Sequence, residues 1–296
     1  MSSLFALALV ACGGTTDDSD TDSPAEQAAL PADDAPMIAL GSFHSCDVSA
    51  DNTLRCWGND AGGQVTGMQE GSYKHVGAGD GHTCGLGIDG TVDCWGVDSA
   101  GQVAAIPTGS FAWIASGYEH NCTLDDAGTT TCWGSDITGQ STPPDTPFSR
   151  IAAGYYHTCG LSGDGELTCW GSDDQGESTG APDGLWKQVS GGSAFSCGIR
   201  EDDTVACWGV DLQGQVSGAP TEGVWTRVAC GYQFACALDD SGKASCWGSN
   251  DQGQAEAPAG QFERIAAGVS HACAITEAGA TLCWGYDGLG QATPPG

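Results

Sequence analysis

Cysteine, histidine and aspartate recur along this 296-residue chain at spacings that could serve disulfide, metal or acid–base chemistry. Fourteen of its sixteen cysteines fall into seven pairs ten apart: Cys46 with Cys56, Cys84 with Cys94, Cys122 with Cys132, Cys159 with Cys169, Cys197 with Cys207, Cys236 with Cys246, and Cys273 with Cys283. Held opposite each other on two strands, such a pair can close a disulfide; it can also stay as two small buried thiols. A zinc reading lacks the close Cys-x-x-Cys ligand spacing. Two residues before the first cysteine of a pair stand His44, His82, His120, His157 and His271, with Phe195 and Phe234 in the other two units. A histidine that phenylalanine replaces at a fixed place reads as packing, with one ring N–H given to backbone, and not as a metal ring. Asp60, Asp98, Asp136, Asp173, Asp211, Asn250 and Asp287 lie four after the second cysteine and three before a glycine, which is a turn signature. The dense Asp-x-Asp-x-Asp spacing of a calcium loop is missing. No Gly-rich phosphate loop, G-x-S-x-G or H-E-x-x-H occurs. Asp173-Asp174 and Asp202-Asp203 fall on turns and read as solvated. The chain is therefore expected to be no enzyme, with no catalytic residue, metal or cofactor.

The elements that must position these residues follow from the same spacing. Every second cysteine precedes Trp-Gly, at Trp57, Trp95, Trp133, Trp170, Trp208, Trp247 and Trp284. The apolar runs are short and bracketed by glycine, without a sustained helical period, so they read as strands. Between paired cysteines a three-residue hairpin loop fits, a type I turn followed by a residue with positive φ. That last position is Asn52, Gly90, Gly128, Gly165, Asp203, Gly242 or Gly279, all types that tolerate it. Such a loop sets the two cysteines directly opposite each other. Another strand lies upstream, marked by Tyr73, Phe111, Phe148, Trp186, Trp225 and Phe262; the first unit has Ala35 there. A fourth short strand is expected after each Gly-Gln, from Gly63-Gln64 to Gly290-Gln291, with Gly176-Glu177 in the fourth unit. Four short strands repeated seven times at ~38 residues predict an all-β, seven-bladed β-propeller over residues 37–296. Closing the ring removes the exposed sheet edges of an open array. The chain is expected to be a monomer.

Two cysteines stand outside the pairs. Cys230 takes a place held elsewhere by Leu40, Ala78, Ser116, Ala153, Gly191 and Ala267, and is expected to be a buried thiol. Cys12 ends the run Leu9-Val10-Ala11-Cys12, which resembles a bacterial lipobox. Residues 1–12 accordingly read as a signal peptide whose Cys12 takes a lipid, although Met1-Ser2-Ser3 lacks the usual basic residue. Residues 13–36 hold seven acids and no base, a composition expected to form a disordered, solvated tether. A flexible coil of this length spans roughly 25–30 Å. The expected location is the cell envelope, outer-membrane anchored or extracellular, with membrane contact through the lipid alone.

Charge excludes another class. The chain carries 38 acids against 8 bases, a net −30; removing the seven acids of residues 13–36 leaves −23 on the propeller. Its bases are scattered singly along the sequence, whereas neutralising phosphates takes clustered Lys and Arg, so no nucleic-acid partner is expected.

The fourth unit reads Ile151-Ala-Ala-Gly154-x-x-His157-x-Cys159-x-Leu161, then Asp164-Gly165, Cys169-Trp170-Gly171, Asp173 and Gly176. This pattern resembles the repeat of the regulator of chromosome condensation family and runs through all seven units. The resemblance implies a seven-bladed propeller. The family's eukaryotic founder exchanges nucleotide on a small GTPase and docks on nucleosomes, and a secreted bacterial relative inhibits β-lactamase. The cysteine pairs and lipobox point to an exported member. No basic tail is present to touch chromatin, so exchange activity is not carried over. A binding module for an unknown protein or glycan is the favoured reading. An inhibitor of a secreted or periplasmic enzyme, and an enzyme with a site in the channel mouth, are the alternatives. Residues between the repeat's glycine and histidine vary most, and Phe43, Tyr118, Glu119, Tyr155, Tyr156 and Tyr232 make a candidate binding face if that segment is a surface loop. The competing reading packs them on neighbouring blades.

Overall fold

The apolar runs between glycines are only long enough for strands, and each repeat has three of them. The computed structural model describes residues 38–295. Its twenty-one strands, numbered in chain order, make seven antiparallel sheets of three consecutive strands each, and the described residues contain no helix. The first sheet is β1 (Ile38–Leu40), β2 (His44–Val48) and β3 (Leu54–Gly58); the fourth is β10 (Arg150–Ala153), β11 (His157–Leu161) and β12 (Leu167–Gly171). The remaining inner strands are β4 (Tyr73–Ala78), β7 (Trp113–Ser116), β13 (Trp186–Gly191), β16 (Trp225–Cys230) and β19 (Phe262–Ala267). Each inner strand neighbours the next, and β19 neighbours β1, so the ring closes. Cys12 and residues 13–36 lie outside the described residues.

The hairpin register is as the spacing predicts, and every pair is directly opposed across its hairpin. Cys46 faces Cys56, Cys84 faces Cys94, Cys122 faces Cys132, and Cys159 faces Cys169. Cys197 faces Cys207, Cys236 faces Cys246, and Cys273 faces Cys283. All seven are disulfides, with Cα atoms 4.0–4.1 Å apart. The alternative of paired buried thiols is thereby excluded, and the burial is also unequal within each pair. The first cysteine, on the middle strand, is fully buried in every blade. Its partner on the outer strand, Cys56, Cys94, Cys132, Cys169, Cys207, Cys246 or Cys283, is only half-buried, because that strand is the blade's outer edge. The residue closing each hairpin has positive φ, 64° at Asn52, 65° at Asp203 and 78–85° at the five glycines. Closing a ten-residue loop stabilises by about 2.5–3 kcal/mol in the chain-entropy model, less where the hairpin already forms locally.

Among the described residues the expected fourth strand does not form. Residues after each Gly-Gln form turns, because their N–H groups are already taken. Asp60 Oδ1 accepts the N–H groups of Val65 and Thr66 at 2.8 and 3.0 Å, while Gln64 Oε1 accepts that of Gly62 at 2.8 Å. Asp287 and Gln291 repeat this in the last unit. The aspartates are thus turn acceptors, and each turn packs on the following blade. Trp95 Nε1 donates to the Gln64 carbonyl and Trp57 Nε1 to the Gln291 carbonyl, part of a set of seven at 2.8–3.0 Å. The last turn therefore latches the seventh repeat onto the first.

Apolar burial sits between blades. Cys46, Val48 and Leu54 of blade 1 pack with Tyr73, Val76 and Trp95 of blade 2. Ile38, Leu40 and Trp57 pack with Cys273 and Ile275 of blade 7, which completes the circle. The upstream aromatics Tyr73, Phe111, Phe148, Trp186, Trp225 and Phe262 are all buried in these layers.

Candidate functional site

The histidines are joints between blades. Nε2 of His44, His82, His120, His157 and His271 lies 2.7–2.9 Å from Thr83, Asn121, Thr158, Ser196 and Ser45 respectively, always on the next blade. Each of those side chains donates to the Gln or Glu carbonyl that also receives the tryptophan N–H, at 2.8–3.3 Å. The partner must then accept from the histidine, which makes the ring the neutral Nε2–H tautomer. Its partner is a side chain, not the backbone group that the repeat pattern suggests. Where Phe195 and Phe234 replace histidine, Ala235 and Ala272 stand in the partner positions within the same apolar clusters. Burial holds the histidine pKa values down, to about 3 at His44 and His120 and about 4 at His157 and His271. None is placed to exchange protons at neutral pH. The ring also needs its glycine here: a Cβ on Gly41 would strike the Gly79 carbonyl and the His44 ring. Around the circle each such glycine abuts the next, ending with Gly268 against Gly41.

Seven inner strands surround a channel cavity of about 240 Å³, lined by small residues such as Ala39, Gly77, Ala115, Ala152, Ser190 and Ala229. Cys230 is a buried free thiol on this wall, its pKa pushed up to about 12 by burial. The loops following the inner strands form one mouth, where backbone bonds run between blades, as Tyr155 N to Gly192 O at 3.0 Å and Tyr232 N to Gly268 O at 3.1 Å.

Four of the candidate face residues converge at this mouth. Tyr118 and Tyr155 stack with ring centroids 5.2 Å apart, Tyr156 lies 5.5 Å from Tyr118, and Tyr232 meets Tyr155 edge-on at 5.5 Å. They come from blades 3, 4 and 6, separated by dozens of residues in the chain. Tyr155 of blade 4 and Ser42 of blade 1 line the same opening, and Ser42 acts on the Tyr155 hydroxyl. Burial, followed by Asp80 and the neighbouring tyrosines, raises its pKa against a lowering by Ser42. Tyr118 and Tyr156 are also raised by burial, with Asp80 and Glu119 adding to it. All three therefore stay protonated as donors. Tyr156 and Tyr232 are 37% and 41% exposed, so the cluster has a buried base and an open top. Phe43 is exposed on blade 1, and none of the ring contacts among the described residues joins it to the cluster. Glu119 sits at the rim, accepting from Ser99 at 2.7 Å.

Asp80 and Ser42 escape the sequence reading, although they occupy the same loop position in blades 2 and 1 as Tyr118, Tyr155 and Tyr232 do in theirs. The view of the basic residues as scattered also needs correction. Arg150, Arg227 and Arg264 start or nearly start three inner strands, and ring closure brings all three to the opposite mouth. Repeat register carries the signal for this, since each immediately precedes the β-branched core residue of its strand.

A closed ring of seven equivalent junctions with a variable aromatic mouth defines a β-propeller of the interaction-module kind. The model of the regulator of chromosome condensation (RCC1) repeat matches residues 73–102, 148–177, 186–215, 225–254 and 262–291, and the chain belongs to this family. The first and third repeats fall outside those matches yet form equivalent sheets. Among solved structures, the ectodomain of the Physcomitrella patens receptor kinase CR4 is similar at 26% identity and TM-score 0.73, covering 84% of this chain and 73% of that one. The ectodomain of the Arabidopsis thaliana receptor kinase ACR4 is similar at 24% identity and TM-score 0.71, over 84% and 96%. Yeast RCC1 (Prp20), solved bound to Kap60, shares the fold at 16% identity and TM-score 0.65, over 76% and 72%. No curated protein sequence matches the chain.

Proposed function

We propose that this protein is an exported binding module that takes a protein partner on its tyrosine-lined channel mouth. The observation that carries the reading is the meeting of Tyr118, Tyr155, Tyr156 and Tyr232 beside Asp80 and Glu119. Tyrosine brings large contact area with few rotors and a polar tip, and clustered aromatics anchor interfaces. The two acids and the negative faces of the rings favour a partner that inserts a cationic side chain. Export is supported by seven disulfides, which suit an oxidising compartment, and by the likeness to the CR4 ectodomain. In this reading Cys12 carries the lipid, and the acidic residues 13–36 hold the ring off the membrane.

A photo-crosslinking residue placed at Tyr156, and separately at the exposed Leu212 on an outer turn, tests the site in the full chain. Exposure to the organism's surface and secreted proteins should give a discrete product from position 156 and none from 212. Products from both positions, or from neither, would reject this mouth as the docking site. A product that disappears on deglycosylation would make the ligand a glycan. For the anchor, labelled palmitate should enter the wild type and not Cys12→Ala.

A further inference from the structure

Strand direction divides the ring into two faces, and the chain's charges divide with it. Each inner strand runs towards the tyrosine mouth, the middle strand returns, and the outer strand runs towards it again. The tyrosine face therefore holds two kinds of loop. One is the three residues between inner and middle strands, such as 117–119 and 154–156; the other is the turn after each outer strand, such as 135–140 and 172–177. The two sets touch, since Thr138 Oγ1 donates to Tyr156 O at 2.9 Å and Ser99 Oγ to Glu119 Oε1 at 2.7 Å. Neither set contains a lysine or arginine in any blade. All eight bases stand on the other side. Lys74, Arg150, Lys187, Arg227 and Arg264 fall within the first three residues of their inner strands, and Arg55, Arg200 and Lys243 lie in or beside the hairpins joining middle to outer strands.

Acids occupy the face that the bases avoid. Six of its seven turns carry the repeat's aspartate, and these are explained by the N–H groups they accept, as Asp60 and Asp173 do from their own loops. Hydroxyl donors, then backbone N–H groups, hold Asp60, Asp173 and Asp211 below the usual carboxylate range, so their charges persist. Asp80, Glu119, Asp174 and Asp251 have no such duty, because the same loop positions are Ser42, Tyr156, Ile137 and Leu212 in other blades. These surplus acids thus stand where the repeat is free to vary. Arg55 pairs with Asp47 and Lys187 with Asp203, both at 2.7 Å, on the opposite side. Ile137, 80% exposed, precedes the Thr138 that bonds Tyr156 O, which sets an apolar group at the edge of the tyrosines.

We propose, on the reading that the tyrosine mouth is the docking site, that the partner is a basic protein, which lays a lysine- or arginine-rich surface across this face. Two copies of this chain would set like charges against each other here, so the partner is a different protein. A field of one sign over one face steers and orients the encounter, while the aromatic rings supply the short-range contact. Guanidinium and ammonium groups can meet the carboxylates and the ring faces together. Association should be fast at low salt and slow down as sodium chloride is added, since exposed charges are screened beyond about 10 Å at roughly 0.1 M.

A fluorescein-labelled nona-arginine peptide is the probe, its affinity read by anisotropy and its association rate by stopped flow on the full chain. Asp80→Asn/Glu119→Gln/Asp174→Asn removes three acids from the tyrosine face. Asp126→Asn/Asp164→Asn/Glu277→Gln removes three from hairpins on the opposite face, so the two variants carry the same net charge. The first should weaken binding roughly tenfold and slow association, and the second should change affinity by less than about twofold. Equal weakening by the two would reduce the effect to bulk charge and overturn the proposal, as would absence of binding to the wild type at low salt. If the first variant loses its melting profile, the single exposed changes Asp174→Lys and Asp126→Lys decide in the same way. Tyr156→Ala/Tyr232→Ala separates this proposal from the reading beneath it. Peptide binding that needs the acids but not the tyrosines upholds the basic partner and overturns the mouth as its site. A partner crosslinked from position 156 that proves acidic, bound without salt dependence, upholds the mouth and overturns the basic partner.

Discussion

The two mouths of the channel are made by the two ends of the same seven strands, yet they have opposite chemistry. Arg150 opens β10 and Tyr155 follows its end, about 16 Å away at the usual strand rise. One end gathers tyrosines with Asp80 and Glu119; the other gathers arginines with a tryptophan and a glutamine. Between them the inner strand keeps a β-branched residue and then mostly small ones, because Gly154 and its equivalents just beyond it touch the next blade, while on the middle strand His157 or Phe195 must fit a matching Ser, Thr, Asn or Ala. Blade contact therefore constrains the middle of each strand and releases the ends. Specific chemistry accumulates where the repeat is free to vary.

Perturbing the shared middle should affect both mouths together, and perturbing an end should affect one. The largest effect should come from acid. The buried histidines have folded pKa values well below their ordinary 6.5, so below that pH the unfolded chain binds protons the folded chain does not. Stability is then complete above about pH 6.5 and falls as pH drops towards 3–4, by ~1.4 kcal/mol per pH unit per histidine. Melting measured at pH 7 and pH 5 should differ by tens of degrees. Converting one joint to the other kind, with His120→Phe and Thr158→Ala, should flatten that dependence; an unchanged pH profile would mean the histidines do not set it. Next comes a single staple. Cys159→Ser with Cys169→Ser should lower stability by about 2–3 kcal/mol.

End residues should separate. Tyr155→Ala empties the buried base of its cluster and should lower stability by about 2 kcal/mol. Tyr156→Ala removes an exposed ring and should change melting by less than ~0.5 kcal/mol, while weakening partner capture. Equal melting losses from the two would erase the distinction between a buried base and an open top.

Much of this ring can be read directly from residue spacing. The ten-residue cysteine interval and the αL-tolerant residue at Asn52, Asp203 and five glycines specify hairpin length and register, which are local properties. The unequal burial within each cysteine pair is not local: it depends on which strand becomes the blade's outer edge once the blades pack. The fourth strand fails to form because Asp60 and Gln64 capture N–H groups of their own loop, a competition invisible to strand propensity. The tyrosine cluster is legible as a set of variable positions, but the approach of Tyr155 to Ser42 of blade 1 depends on ring closure. The arginine mouth is hidden for the same reason. Residues 77 and 37 apart in sequence look dispersed until the chain is wound into a circle.

The tyrosine mouth is the proposed recognition surface. Its most direct test is the dissociation constant of the crosslinked partner for wild type, Tyr156→Ala/Tyr232→Ala and Ile88→Ser, an exposed residue in the blade 2 hairpin at the opposite end of the strands, all as full chains. A loss of roughly tenfold or more in the tyrosine variant with wild-type binding by Ile88→Ser is predicted, on the scale of an aromatic hot spot. Unchanged affinity in the tyrosine variant would contradict it.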